Sequence, residues 1–100
     1  MGYFPFFVDV ENQNCLVVGG GVVALRKIEK LLPFNPNITV VSPKVHKEIL
    51  SIENINIIKR KFDFNDLKEK SFVITATDDK VLNKEIYNFC KENNIPVNTV

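Results

Sequence analysis

An α/β fold, a mainly parallel five-stranded sheet with helices on both faces, is what the patterning of this chain predicts. Three observations carry the prediction. Short β-rich apolar runs alternate with helical patterns, the order that a parallel sheet with crossover helices requires. Phe72-Val73-Ile74-Thr75-Ala76 is almost wholly apolar, as a strand covered on both faces should be. The first apolar run passes through three glycines directly into a helix-forming segment. Composition agrees: 100 residues suit one domain, and 45% hydrophobic content supplies an ordinary globular core.

Phe6-Phe7-Val8 predicts a short extended segment, followed by a polar turn over Glu11–Asn14. Cys15–Val18 is the first parallel strand, and the first helix runs from Val22 to about Leu32. Ala24, Ile28, Leu31 and Leu32 share one face of that helix. Pro33 and Pro36 end it, and Asn35 or Asn37 can take the left-handed conformation there. Ile38–Val41 is the second strand, closed by Ser42-Pro43. Val45, Ile49 and Ile52 mark a short amphipathic helix, and Ile55–Ile58 a third strand. An irregular connection spans Phe62–Leu67 before the fourth strand, Phe72–Ala76. Thr77-Asp78-Asp79 can cap the next helix, because short oxygen-bearing side chains accept its free N–H groups. That helix should bury Leu82, Ile86, Phe89 and Cys90, and Asn93-Asn94 ends it. Pro96–Val100 is a fifth strand.

The stretch Cys15–Ala24 carries the function. Gly19, Gly21 and Ala24 match G-x-G-x-x-G/A in a strand–turn–helix context, which makes the fold Rossmann-like and doubly wound. Gly19 allows the tight turn, Gly21 lets backbone approach a pyrophosphate, and Ala24 lets the helix pack closely. No acidic residue lies between Asn12 and Arg26, so nothing there repels a phosphate. The free amides and positive end of the helix attract it.

Ligands of such sheets bind outside the carboxyl ends of the strands, where strand order reverses. Gly19–Val23, Ser42–Lys44 and Ala76–Asp78 should meet there. The first segment takes the pyrophosphate, with Val22 and Val23 just beyond the glycines. Ser42, Pro43 and Lys44 belong beside the adenosine ribose, although Ser42-Pro43 serves equally well as a plain turn. An Asp or Glu commonly holds the ribose 2′-hydroxyl, and Ser42 stands in its place. Ser42 does not repel a 2′-phosphate and Lys44 attracts one, so these residues do not choose between NAD and NADP. Ala76 should let the nicotinamide side in, and Thr77 hydrogen-bond it. Capping explains Asp78 and Asp79 without catalysis. Neither Cys15 as a nucleophile nor His46 as an acid–base group has a reactive partner nearby in the pattern. No catalytic residue is assigned.

A net charge of +1 gives no electrostatic case for nucleic acid or an anionic membrane. Two cysteines and one histidine make neither a disulfide framework nor a zinc site. Cys15 and Cys90 read as small core residues. The opening residues lack a basic n-region, and no apolar run approaches membrane length, so a cytoplasmic location is expected.

Tyr3–Val10 as YFPFFVDV, Cys15–Lys27 as CLVVGGGVVALRK, Phe72–Asn83 as FVITATDDKVLN and Ile95–Val100 as IPVNTV together resemble one family. It is precorrin-2 dehydrogenase, the N-terminal module of siroheme synthase. The likeness runs along essentially the whole chain in order and spacing. It implies NAD-dependent oxidation of precorrin-2 to sirohydrochlorin in siroheme biosynthesis, and some members also insert ferrous iron. By position, family cofactor contacts fall on Val22, Val23, Pro43 and Lys44. A homodimer is implied, through regions that follow the nucleotide domain.

Two departures bear on activity. In the family, the segment matching Pro96–Val100 runs into an aspartate important for dehydrogenation and chelation, and Val100 precedes that position. Thr99 stands where an apolar residue is usual. The chain is therefore expected to be the cofactor-binding part of an enzyme, binding nucleotide with little or no turnover alone. A regulatory NAD-sensing domain explains the glycine turn equally but not the YFPFF or TATDD–LN blocks. A doubly wound domain without ligand leaves the acid-free turn without purpose.

Overall fold

The structure, a computed structural model, describes residues 9–99. The extended segment expected at Phe6–Val8 lies outside those residues. Five strands and three helices follow in order: β1 (Asn14–Val18), α1 (Val22–Leu31), β2 (Asn37–Val41), α2 (Lys47–Leu50), β3 (Asn56–Ile58), β4 (Phe72–Thr75), α3 (Lys80–Glu92) and β5 (Val97–Thr99). Single 3-10 turns at Leu32–Phe34 and Phe64–Leu67 occupy two connections. All strand pairs are parallel, in the order β3-β2-β1-β4-β5. The chain thus adds strands outward on one side of β1, then crosses back to add β4 and β5 on the other. That is the doubly wound arrangement the alternation predicts, with its reversal between β1 and β4.

Side-chain alternation along the strands builds two cores. Cys15, Val17, Ile38, Val40 and Ile74 pack against Ala24, Leu25 and Ile28 of α1 and Ile49 of α2. Leu16, Val18, Val41 and Val73 point the other way, against Ile86 and Cys90 of α3 and Leu67. Both faces of the central strands are covered, so their near-continuous apolar runs are accounted for. Leu25 joins the α1 interface, while Leu31 and Leu32 lie only half-buried where the 3-10 turn leads away. Asn35, at φ 57°, takes the left-handed position that ends the turn, and Asn94, at φ 56°, does so after α3.

The interior face of α3 departs from expectation. Leu82 and Phe89 are half-buried at the rim, whereas Asn83 is only 5% exposed. A buried amide is tolerated only when bonded. Asn83 is: its Nδ2 donates to the Thr77 carbonyl at 3.0 Å, and its Oδ1 accepts from the Thr77 hydroxyl at 2.5 Å.

Arg60, the middle residue of the basic run Lys59-Arg60-Lys61, makes a two-pronged pair with Asp66. The bond from Arg60 is the main cause holding the Asp66 carboxyl below its ordinary range.

Both cysteines are fully buried, Cys15 against α1 and Cys90 within α3. Burial pushes the Cys15 thiol up to about 12 and raises that of Cys90. Neither thiol should react with Ellman's reagent until denaturant is added, and prompt labelling of native protein would contradict this packing.

Candidate functional site

Three connections converge at the carboxyl ends of the strands, and the glycine turn lies between the other two. The β1 ladder continues into the site: Gly19 N–H donates to Val41 O at 3.0 Å, and Ala76 N–H to Val18 O at 2.8 Å. Gly19 has φ +125°, a conformation that L side chains rarely adopt. A Cβ there would stand 2.5 Å from Ala76 O and 3.1 Å from Thr77 N. Gly19 is therefore what allows β1 and β4 to end side by side.

Gly20 faces the other neighbour. A Cβ on it would overlap Lys44 O and lie 3.1 Å from Ser42 Cβ. Its carbonyl accepts the His46 N–H at 2.7 Å. Gly21 is different again: nothing lies within 4 Å of where its Cβ would be. Gly21 is the N-cap of α1, with no side-chain cap and no acid in the first turn. The helix ladder starts with Leu25 N–H to Gly21 O at 3.0 Å, so the amides opening α1 precede it. Val22 and Val23 beside them are 49% and 45% exposed. Ala24, by contrast, is fully buried against the sheet, the close packing expected of a small residue there.

Ser42 N–H continues the sheet by donating to Ile58 O, and the Ser42 hydroxyl donates to Lys44 O at 2.7 Å. Pro43 and Lys44 are exposed on the same loop. Ala76, 8% exposed, forms the wall against Gly19. The Thr77 hydroxyl gives its proton to Asn83 and accepts from the Asp79 N–H at 3.1 Å, which ties it into its own loop. Thr75 Oγ1, one step earlier at the end of β4, is buried without a hydrogen-bond partner.

The cap of α3 falls to Asp79 alone. Its Oδ1 accepts from Val81 N–H and Leu82 N–H, both at 3.0 Å, while Asp78 is exposed and takes no part. The shared role expected of Asp78 is thus corrected by one residue of register. Asp79→Ala should lower stability by about 1 kcal/mol, as lost caps do. A shifted urea midpoint with unchanged slope would register it, and an unmoved midpoint would refute the cap.

Gly20 and Asn83 are the participants that motif reading passes over. Gly20 occupies a variable place in G-x-G-x-x-A, and only its run with Gly19 and Gly21 hints that it is constrained. Asn83 stands out only as an amide on the otherwise apolar face between Leu82 and Ile86.

This architecture has recognised relatives. A family model described as "Putative NAD(P)-binding" (NAD_binding_7) matches residues 6–100. The chain belongs to this NAD(P)-binding family. It is 38% identical over its whole length to the siroheme synthase of Ruthia magnifica subsp. Calyptogena magnifica, covering 22% of that protein. The siroheme synthase of Pseudoalteromonas atlantica is 43% identical, again over the whole chain and 22% of the relative. Among solved structures, SirC, a precorrin-2 dehydrogenase, superposes with TM-score 0.83 at 34% identity, over 96% of this chain and 48% of SirC. The chain thus spans about a fifth of the curated relatives it matches. As in the family's name, the ligand class is a nicotinamide dinucleotide. Among the described residues, no helix is long and apolar enough to cross a membrane.

Proposed function

We propose that these residues are the NAD-binding part of a precorrin-2 dehydrogenase, which oxidises precorrin-2 to sirohydrochlorin in siroheme biosynthesis. One observation carries the reading: the uncapped, acid-free start of α1 opens beside Gly21, where a Cβ would meet nothing. A dinucleotide fits that opening because the pyrophosphate needs donors, close backbone approach and no competing carboxylate. Gly21, Val22 and Val23 hold the pyrophosphate through their amides. Ser42, Pro43 and Lys44 line the adenosine side, and Ala76 and Thr77 the nicotinamide side through their backbone.

The Ser42 hydroxyl supports NAD rather than NADP as the cofactor. Its proton goes to Lys44 O, so Oγ can only accept from a ligand. A ribose 2′-hydroxyl can donate to it, whereas a 2′-phosphate brings only acceptors. When bound, NAD supplies the hydride acceptor, and the protein fixes distance and face of approach. Among the described residues none is positioned as the base, and turnover, any iron insertion and homodimer assembly belong to the full-length protein.

Calorimetric titration of the chain with NAD+ and NADP+ tests the site, and precorrin-2 oxidation by the full-length protein tests the reaction. Saturable NAD+ binding tighter than NADP+, with turnover at full length, is expected. Absence of NAD+ binding would overturn the site. Binding without turnover at full length would favour a nucleotide sensor.

A further inference from the structure

We infer that Gly20 is a positioning residue: its missing side chain joins the glycine turn to the Ser42–His46 loop, so that the phosphate and adenosine contacts of the dinucleotide are built as one piece. The inference rests on the nucleotide reading above. Gly20 is buried, and its backbone is not in the left-handed region, so conformational freedom does not explain a glycine there. Space does. The Lys44 carbonyl lies where a Cβ would be, with Val45 Cα 3.0 Å and Ser42 Cβ 3.1 Å from the same point.

Two hydrogen bonds close the junction. The Gly20 carbonyl accepts the His46 N–H at 2.7 Å, and the Ser42 hydroxyl fixes Lys44 O at 2.7 Å. A side chain at position 20 would press on backbone that Ser42 already holds, and backbone does not swing aside as a flexible side-chain end does. The loop must withdraw by roughly 1 Å to restore ordinary contact. His46 also begins α2, its Nδ1 accepting the Glu48 N–H at 3.1 Å, so the displacement reaches that helix. Ser42, Pro43 and Lys44 ride on the moving loop, whereas Gly19 with Ala76 and Thr77 lies on the other side of the turn. The adenosine half of the ligand should therefore feel a change at Gly20 more than the nicotinamide half does.

The test uses full-length protein and two half-ligands, 5′-AMP and nicotinamide mononucleotide, with NAD+ as control. Gly20→Ala should weaken 5′-AMP at least about tenfold, equivalent to about 1.4 kcal/mol, and nicotinamide mononucleotide less than about threefold. His46→Pro is the second variant. The φ of −57° at His46 suits proline, and the change replaces the N–H given to Gly20 with a ring carbon that pushes the Gly20 carbonyl away from the loop. It should shift the two affinities with the same asymmetry, and it remains readable if Gly20→Ala does not fold. Equal weakening of both half-ligands, or no change in either variant, would overturn the coupling. Failure of the unaltered protein to bind NAD+ would instead remove the nucleotide site itself.

Discussion

Gly19→Ala should destabilise the domain by about 3 kcal/mol or more and abolish nucleotide binding with it. Two costs combine. An L-residue held at φ +125° bears a backbone penalty of about 1–2 kcal/mol. The new Cβ also stands 2.5 Å from Ala76 O, so β1 and β4 must part at their ends, and overpacking of that kind costs about 1–3 kcal/mol. The flanking ladder bonds, Gly19 N–H to Val41 O and Ala76 N–H to Val18 O, lie in the path of that relaxation. For a domain of this size the melting temperature should fall on the order of 15 °C. Calorimetric unfolding would measure it, and a variant melting within a few degrees of the parent would show that the contact is not tight.

Much of this fold is legible in the residue pattern itself. β1, β2 and β4 are central strands, covered on both faces, and therefore write themselves as near-continuous apolar runs. Pro33 and Asn35 likewise announce the end of α1 in their own chemistry. What stays hidden depends on atoms far apart along the chain. Ala76 reads as strand, yet β4 ends at Thr75 and the Ala76 carbonyl lies close against Gly19. Asn83 reads only as a lone amide on the apolar face of α3, and nothing in that pattern shows that Thr77, six positions earlier, folds back onto it. Gly20 reads as a spacer, because its constraint comes from the Lys44 carbonyl in a different connection. Local periodicity fixes which segments form and which face they bury. It carries no information on how closely two loops approach.

Gly21→Asp should separate folding from binding by moving them in opposite directions. The backbone at Gly21, φ −92° and ψ −161°, is extended and open to any residue, and a Cβ there has no atom within 4 Å. Aspartate is a favoured N-cap, and its charge suits the positive end of α1, which carries neither a side-chain cap nor a first-turn acid. Stability should rise by about 0.5–1 kcal/mol. The same carboxylate would occupy the amides and repel a pyrophosphate, so NAD+ affinity should fall at least about 100-fold, equivalent to about 2.7 kcal/mol. A glycine retained for folding predicts the reverse: lower stability and little effect on the ligand. Paired denaturation and titration of this one variant decide between them. Unaltered NAD+ affinity in a stabilised Gly21→Asp protein would mean that phosphate does not sit on the first turn of α1.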